Sequence, residues 1–218
     1  MVKKGVVLFL ILFAFVVHAK VKQSEEVLKL LENIKKSYST IESFEADFKQ
    51  VRKSPLLKDA AVTYGKFYFK KPDKLRLKFL KPYSISIFYR KNKIYRFDYD
   101  TGKYAVLNIK RHRENALNFL NVGKTFDFLT KYFVIRNVET KGKDIYLIFI
   151  PKKRRVKKRF KIVEMWLDSE TYLFKKIYVE QKDGTDTTIE LSNVKINLPI
   201  KDSVFEFSKK GFKKEKWQ

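Results

Sequence analysis

Apolar and charged positions alternate along most of this chain. In the segment 41–53, Phe44, Ala46 and Phe48 alternate with acidic and basic residues. A second segment, YGKFYFKKPDKLRLKF at 64–79, has a Lys-Pro-Asp turn in its middle, and its alternate apolar positions are Phe67, Phe69, Leu75, Leu77 and Phe79. Side chains two residues apart share one face of a strand, so both segments predict strands, and the second predicts a hairpin with an apolar face.

The same pattern predicts strands across the rest of the chain, at 85–90, 94–99, 104–109, 132–138, 144–150, 160–168, 172–180, 185–195 and 204–207. Short turn-like intervals such as RKNK and DYDTGK separate neighbouring strands, and intervals this short join antiparallel partners. We therefore expect a mainly β fold of the α+β class, with about 11 to 12 antiparallel strands in one sheet or barrel.

Two regions have helical periodicity instead. Ser24 and the two glutamates after it can begin a helix, and apolar residues then recur at helical spacing up to Tyr38. Between 110 and 131, good helix formers and a stop at Gly123 predict two short inserted helices, whose apolar face includes Leu117, Phe119 and Leu120. The last ten residues, KKGFKKEKWQ, are expected to form a frayed basic end.

The N-terminus has the pattern of a secretory signal peptide. Lys3 and Lys4 precede an apolar run at 5–17, and cleavage is expected after Ala19. A membrane anchor is the weaker alternative, because the run is shorter than the roughly 20 residues that cross a bilayer. We expect a signal peptide at 1–19 and a single domain at 20–218. The chain has no cysteine, and therefore no lipid-modified one, so we expect a soluble periplasmic protein.

The chain is strongly basic, with 49 lysines and arginines, 24 acidic residues and a net charge of +25. Such a charge attracts anionic membranes, acidic proteins or nucleic acid, and lysine-rich composition is also typical of heat-adapted proteins. The densest cluster comprises Lys152, Lys153, Arg154, Arg155, Lys157, Lys158, Arg159 and Lys161. We expect it at two strand ends and their hairpin, as a solvated tip or as a docking patch for anionic lipid headgroups. It lacks nucleic-acid-binding signatures, so no nucleic-acid partner is expected.

Catalytic and metal-binding motifs are scarce. Beyond the signal peptide His112 is the only histidine, and the chain lacks the glycine-rich and nucleophile-elbow motifs of common enzymes. The acidic residues lie mostly in turns or opposite lysines, which does not indicate paired-carboxylate catalysis. We expect no enzymatic activity, cofactor or metal. The 20 Phe and 12 Tyr indicate either a sheet buried under helices or a concave apolar face that holds lipid.

Four segments, in order along the chain, carry a family resemblance. IESFEADFKQ has Phe44, Phe48 and Gln50 at the positions of a first-strand motif. The segment 65–103 has a glycine, an aromatic strand, a basic-Pro turn, a further strand and a hairpin. IYLIFIPK matches a strand that ends in Pro-Lys, and 179–207 matches a last hairpin and closing strand. Together these segments, about Leu30–Phe207, resemble the LolA family of periplasmic lipoprotein carriers.

The resemblance implies an unclosed antiparallel β-barrel with short lid helices over a hydrophobic cavity. It implies a carrier, expected to be a monomer, that accepts triacylated lipoproteins from an inner-membrane ABC transporter and releases them to an outer-membrane receptor. The family places Leu75 and Leu77 on the cavity wall. We extend the acyl-chain site to Phe44, Phe48, Phe67, Phe69, Phe79, Ile87, Tyr95 and Phe97, and place the lid at 114–130 with Leu117, Phe119 and Leu120.

Lys71 stands where the family usually has an arginine that helps to hold the lid. We therefore expect Lys71 to latch the lid through hydrogen bonds to backbone carbonyls near the inserted helices, as a point charge rather than a planar fork. Two further departures are Tyr95 in place of a common tryptophan and Lys91-Asn92 in place of an Asp-Gly turn.

Two rival functions remain. A stress-signalling sensor of similar fold would bind mislocalised lipid, but it would carry a second domain for which this chain is short. A shuttle for phospholipid or lipopolysaccharide would explain the cations at 152–161 directly through anionic headgroups.

Overall fold

The computed structural model describes residues 25–108 and 129–217, which form one sheet of 12 strands. The strands are β1 Ser43–Lys53, β2 Ala61–Lys70, β3 Lys74–Lys81, β4 Ile85–Arg90, β5 Lys93–Asp98, β6 Lys103–Asn108, β7 Phe133–Lys141, β8 Asp144–Pro151, β9 Phe160–Asp168, β10 Phe174–Gln181, β11 Asp186–Ile196 and β12 Lys213–Glu215. Their order is β12-β6-β5-β4-β3-β2-β1-β11-β10-β9-β8-β7, and in the described part of the chain the edge strands β7 and β12 do not pair with each other. The expected mainly β, unclosed architecture is confirmed.

Two runs of hairpins build the sheet outward from its middle. Strands β1 to β6 are neighbours in sequence and in space, and β7 to β11 repeat this arrangement on the other side. The runs meet where β1 pairs with β11, from Phe44 opposite Ile196 to Lys53 opposite Asp186. The ends of the strands therefore form two rims, and within each run of hairpins the connections alternate between them.

The turn between β4 and β5 shows how a departure from the family pattern is accommodated. Lys91 and Asn92 form a two-residue turn with φ angles of 49° and 62°. Both angles lie in the left-handed region that a type I′ hairpin turn requires, and asparagine tolerates this region well. The hairpin therefore forms without glycine.

Helix α1 (25–39) packs across one face of the sheet, called the inner face from here on, as the predicted helix 24–38 required. Ile34 and Tyr38 are 1% and 4% exposed. The backbone N–H of Phe174 donates a 2.9 Å hydrogen bond to Tyr38 Oη, and burial raises the pKa of the Tyr38 hydroxyl. Ser37 Oγ also donates to the Thr171 carbonyl oxygen. These bonds hold α1 to the β9–β10 connection and to the start of β10.

Two short helical turns flank the second run of strands. α2 (129–132) leads into β7, and α3, Arg154–Lys157, connects β8 to β9. The predicted hairpin between two strand ends is present, but its tip contains a helical turn that the sequence pattern did not indicate. This turn lets Val156 pack against the hydrophobic core that includes Ile34 and Tyr38, while its basic neighbours stay exposed. None of the described helices is both long and apolar enough to cross a membrane.

The C-terminal segment also differs from its predicted form. The predicted strand 204–207 is a 3₁₀ turn, Asp202–Phe205, and the predicted frayed end contains β12, which pairs in parallel with β6. Phe205 is 8% exposed, and Phe207 and Phe212 contact Phe97 with ring centroids 5.1 Å apart in each pair. These aromatic side chains bury the segment against the sheet, which explains why it is ordered.

Candidate functional site

The inner face of β1 to β6 is a set of side chains in register across six strands. Directly paired residues of neighbouring strands point to the same face. The three inner-face rows are Phe44, Phe69, Leu75, Tyr89, Ile94 and Leu107; Ala46, Phe67, Leu77, Ile87, Arg96 and Ala105; and Phe48, Gly65, Phe79, Ile85, Asp98 and Lys103. The structure thus brings eight of the ten predicted cavity residues to one face.

Two apolar clusters divide this inner face. The main core includes Ile34 and Tyr38 of α1 together with side chains of β1 and β7 to β11. The second cluster consists of Leu75 and Tyr89 with the partly buried Phe67, Leu77, Ile94 and Leu107. Phe67 contacts both clusters, so the apolar surface continues from the main core onto β2 to β6.

Gly65 allows an aromatic ring to cross the inner face of β2. A Cβ at this position would lie 2.4 Å from Phe48 Cζ and 2.3 Å from the Lys78 carbonyl oxygen. Because glycine leaves this space open, the Phe48 ring reaches Phe79 on β3, with centroids 5.3 Å apart. The position therefore requires a residue without a side chain.

The inner face becomes polar toward β5 and β6. Arg96 Nη2 lies 3.6 Å from Asp98 Oδ2, and both residues stand in the inner-face rows. Asp98 Oδ1 also accepts the backbone N–H groups of Asp100 and Thr101 in the next turn. The second apolar cluster is thus bounded on one side by an ion pair, an arrangement suited to a ligand with a hydrocarbon body and a polar end.

Tyr95 and Phe97 are a correction to the predicted site, because they lie on the outer face. Tyr95 is paired with Phe88 and Phe97 with Ser86, whereas Ile87 is paired with Arg96. Both rings contact Phe207 of the C-terminal segment, at 4.6 and 5.1 Å between centroids. They belong to an aromatic cluster that fixes the C-terminal segment, which the sequence pattern did not indicate.

Arg76 completes this outer cluster. Its guanidinium lies 4.9 Å from the Phe88 ring centroid, Nη1 donates to the Val204 carbonyl at 3.0 Å, and Nη2 donates to Ser86 Oγ at 3.2 Å. The charged group thus joins β3 and β4 to the C-terminal 3₁₀ turn.

Lys71 binds the end of α1. Its Nζ donates to the Ser39 carbonyl at 2.8 Å and to Glu42 Oε1 at 2.7 Å. Both acceptors adjoin α1, whereas the prediction placed them near the inserted helices. The predicted lid residues Leu117, Phe119 and Leu120 lie outside the described residues.

The predicted basic patch is exposed at one rim of the sheet. Its members Lys153, Arg154, Arg155, Lys157, Lys158 and Arg159 are exposed and make no ion pair within the described residues. The other two are engaged: Lys152 Nζ donates to the Thr130 carbonyl, and Lys161 Nζ lies 2.6 Å from Glu180 Oε1. The Glu180 carboxylate raises the pKa of the Lys161 amine.

A groove of about 920 Å³ lies beside β1, and both charged and apolar side chains line it. Lys66 Nζ lies 2.7 Å from Asp47 Oδ1, and Asn193 Nδ2 lies 2.7 Å from the other oxygen. The hydrogen bond from Asn193, followed in size by that from Lys66, lowers the pKa of Asp47 because both bonds stabilise its charged carboxylate. The described residues contain no group of three acidic, histidine or cysteine side chains that could hold a metal ion.

Three members of the second apolar cluster were missed in the sequence: Tyr89, Ile94 and Leu107. Tyr89 lies two positions after Ile87, and a two-residue turn at Lys91-Asn92 places Ile94 opposite Tyr89. Counting the residue pairs outward from that turn would have placed both Tyr89 and Ile94 on the inner face.

The family comparison supports the resemblance seen in the sequence. The model of the family described as outer membrane lipoprotein carrier protein LolA matches residues 39–208. The match covers β1 to β11 and the 3₁₀ turn at Asp202–Phe205, and it stops before β12. No curated protein sequence matches the chain.

Three of the solved structures that match the chain have low sequence identity to it. An uncharacterized conserved protein from Thermus thermophilus has 8% sequence identity and a TM-score of 0.58, and the match covers 88% of this chain and 99% of that one. The LolA superfamily protein NE2245 from Nitrosomonas europaea has 13% identity, TM-score 0.43 and coverages of 83% and 97%. The lipoprotein LppX from Mycobacterium tuberculosis has 11% identity, TM-score 0.47 and coverages of 81% and 98%. The likeness to the Thermus protein concerns the fold alone.

Proposed function

Because this chain belongs to the LolA family of outer membrane lipoprotein carrier proteins, we propose that it carries the acyl chains of lipoproteins through the periplasm. It accepts triacylated lipoproteins from an inner-membrane ABC transporter and delivers them to an outer-membrane receptor. The signal-peptide pattern at 1–19 supports export.

The carrier role meets a specific energetic demand. A buried methylene is worth about 0.8 kcal/mol, so exposing one acyl chain of about 16 carbons to water costs on the order of 10 kcal/mol. An apolar wall offsets this cost by excluding water, without hydrogen bonds to the chain. Such contacts are individually weak, so the cargo can still pass to a receptor that binds it more tightly.

The observation that carries the proposal is the second apolar cluster of the inner face. Leu75 and Tyr89 are 3% and 6% exposed, while Leu77, Ile87 and Ile94 are only partly buried. The packing of α1 serves the main core, and α1 contributes no member to the second cluster. In the proposed mechanism an acyl chain lies against this cluster, and its polar end lies toward the ion pair on β5.

The test is release of lipoprotein from membranes. The chain from residue 20 onward is incubated with inner-membrane vesicles that contain a labelled lipoprotein and ATP, and the soluble fraction is analysed by native mass spectrometry. We expect a one-to-one complex with lipoprotein. Leu77→Glu places a charge against the acyl chain and should abolish this complex, because an unpaired charge in an apolar site is strongly unfavourable.

The matched control is Tyr64→Glu, an exchange at an exposed position on the outer face of β2. It should leave the complex intact. Circular dichroism and thermal unfolding of both variants show whether the sheet has formed. Normal uptake by folded Leu77→Glu would overturn the assignment of the inner face.

A shuttle for phospholipid or lipopolysaccharide is the second candidate, because the exposed cations at 153–159 suit anionic headgroups. Competition between lipoprotein and lipopolysaccharide for the purified protein separates the two functions. Recovery of the protein with phospholipid or lipopolysaccharide alone would favour the shuttle over the lipoprotein carrier.

A further inference from the structure

An exposed aliphatic tip stands between β1 and β2. The connection 54–60, called the leucine loop, has Leu56 94% exposed and Leu57 45% exposed. Arg52, Lys53 and Lys58 flank these leucines and are exposed as well. A single exposed leucine is ordinary, but two at the end of a hairpin, between cations, are not explained by packing.

The leucine loop adjoins the basic connection 152–159 through the β10–β11 turn. The backbone N–H of Lys182 donates a 2.8 Å bond to the Arg159 carbonyl. Thr185 Oγ1 lies 3.4 Å from Ser54 Oγ, and Pro55 Cγ lies 2.8 Å from where a Cβ on Gly184 would be. The three connections therefore form one continuous surface, called the docking rim.

The docking rim is dense in positive charge. Its basic side chains are Arg52, Lys53, Lys58, Lys152, Lys153, Arg154, Arg155, Lys157, Lys158, Arg159 and Lys182. The acidic residues in the three connections are Asp59 and Asp183, and Asp186 is paired opposite Lys53 at the end of β1. Asp183 interacts electrostatically with Arg52. A large excess of cations therefore surrounds the two leucines.

We propose that the docking rim binds the surface of an anionic phospholipid bilayer. The cations contact lipid headgroups, and Leu56 and Leu57 insert at the boundary between headgroups and acyl chains. An aliphatic tip flanked by lysine and arginine is the composition of interfacial membrane anchors. Nucleic acid offers these leucines no apolar surface comparable to a bilayer, so a polyanion in water explains only the charges.

This surface is separate from the proposed cargo site. The docking rim consists of connections between strands, whereas the inner-face cluster around Leu77 lies within β2 to β6. Membrane docking therefore goes beyond the carrier proposal, and the two are tested independently.

The test is binding to lipid vesicles. The chain from residue 20 onward is mixed with vesicles of phosphatidylcholine, with or without phosphatidylglycerol, and the bound fraction is measured by sedimentation at rising salt. We expect binding only with phosphatidylglycerol, weakened by salt. Each cation near an anionic surface strengthens binding about fivefold, so Arg154→Gln with Arg155→Gln should weaken it by about tenfold or more. Leu56→Asn with Leu57→Asn, at unchanged charge, should also weaken it by about tenfold or more.

The controls alter the opposite rim by the same chemistry. Arg90→Gln with Lys93→Gln removes two exposed cations beside the β4–β5 turn, and Leu198→Asn replaces a leucine that is 53% exposed after β11. These variants should bind vesicles like the unaltered protein. Equal losses in the control and docking-rim variants would overturn the assignment of the rim, and no binding of the unaltered protein would overturn membrane docking altogether.

Insertion of the leucine loop has its own readout, because the chain contains no cysteine. Leu56→Cys and Leu198→Cys are each labelled with an environment-sensitive dye, and vesicles carry a quencher in their acyl chains. Quenching at position 56 but not at 198 is expected, and the reverse pattern would contradict insertion. Lipoprotein uptake by the docking-rim variants in detergent solution should remain normal, so failure of docking is distinguishable from failure of the carrier function.

Discussion

At the residue scale, the Lys78 carbonyl oxygen and the Phe48 ring leave no space for a side chain at Gly65. Gly65→Ala should destabilise the fold by about 2 kcal/mol, because the new methyl group meets the Lys78 carbonyl and the Phe48 ring and the backbone must shift. Urea unfolding measures the change. Gly142→Ala, at φ 59° with no atom near the new Cβ, is the control and should cost about 1 kcal/mol. A smaller loss at position 65 than at 142 would contradict the crowded geometry.

The charge of Asp168 holds together a turn that is hydrogen-bonded to α1. Its Oδ1 accepts the backbone N–H of Thr171 at 2.9 Å, and its Oδ2 lies 3.0 Å from Lys175 Nζ. These bonds, that from Thr171 first, lower the pKa of Asp168 well below its usual range. The same turn accepts a hydrogen bond from Ser37 of α1 through its Thr171 carbonyl.

The stability that Asp168 contributes should depend on pH in a defined direction. Its folded-state pKa is lowered, so the contribution is complete above the unfolded value of about 3.9 and is lost as the pH falls toward the folded value. Asp168→Asn should therefore flatten the loss of stability below about pH 4, measured by urea unfolding at several pH values. The exposed exchange Asp59→Asn is the control for loss of one surface charge. An unchanged acid dependence in Asp168→Asn would count against this role.

The sequence predicted the face to which a side chain points only where it also fixed the pairing register between strands. Alternation within a strand correctly grouped Leu75 with Leu77, because side chains two apart share a face. It failed for Tyr95 and Phe97 because the prediction assigned β4 and β5 to the same face without counting the residues of the turn between them. Arg90 pairs with Lys93, so the residue opposite Ile87 is Arg96, and Tyr95 and Phe97 point to the other face.

At the element scale, the C-terminal segment covers the outer face of the sheet at β4 and β5. Phe207→Ala removes a ring that contacts Phe88, Tyr95 and Phe97, and should lower the free energy of unfolding by about 2 to 3 kcal/mol. Denaturant unfolding measures this loss. Tyr83→Ala, at a position that is 62% exposed, is the control and should change little. Acyl-chain uptake by folded Phe207→Ala should stay normal, since the ring lies opposite the cargo face; loss of uptake would contradict that separation.

Long periodic elements were predictable, while short ones were not. The helix at 25–39 and the strand Phe160–Asp168 have enough repeats for one period to be clear. The turn Arg154–Lys157 and the strand Lys213–Glu215 are set by what they pack or pair against, namely the main core and β6. The local sequence KKGFKKEKWQ does not indicate that Phe212 contacts Phe97.

At the scale of the whole molecule, one sheet presents three different surfaces. The inner face carries an apolar cluster around Leu75 and Tyr89, the C-terminal segment covers the outer face at β4 and β5, and one rim combines leucines with cations. The antiparallel pairing followed from the short turns, and the unclosed form followed from the family resemblance. The strand order did not, because the pairing of β1 with β11 joins segments about 140 residues apart and leaves no local signal.

The most direct test of the central claim is to map where the acyl chain lies. A lipoprotein whose acyl chains carry photoactivatable groups is loaded onto the protein, irradiated, and the crosslinked residues are identified by peptide mass spectrometry. The account predicts adducts on inner-face residues such as Leu75, Leu77 and Ile87. Adducts concentrated on the outer-face residues Tyr95 and Phe97 would contradict it.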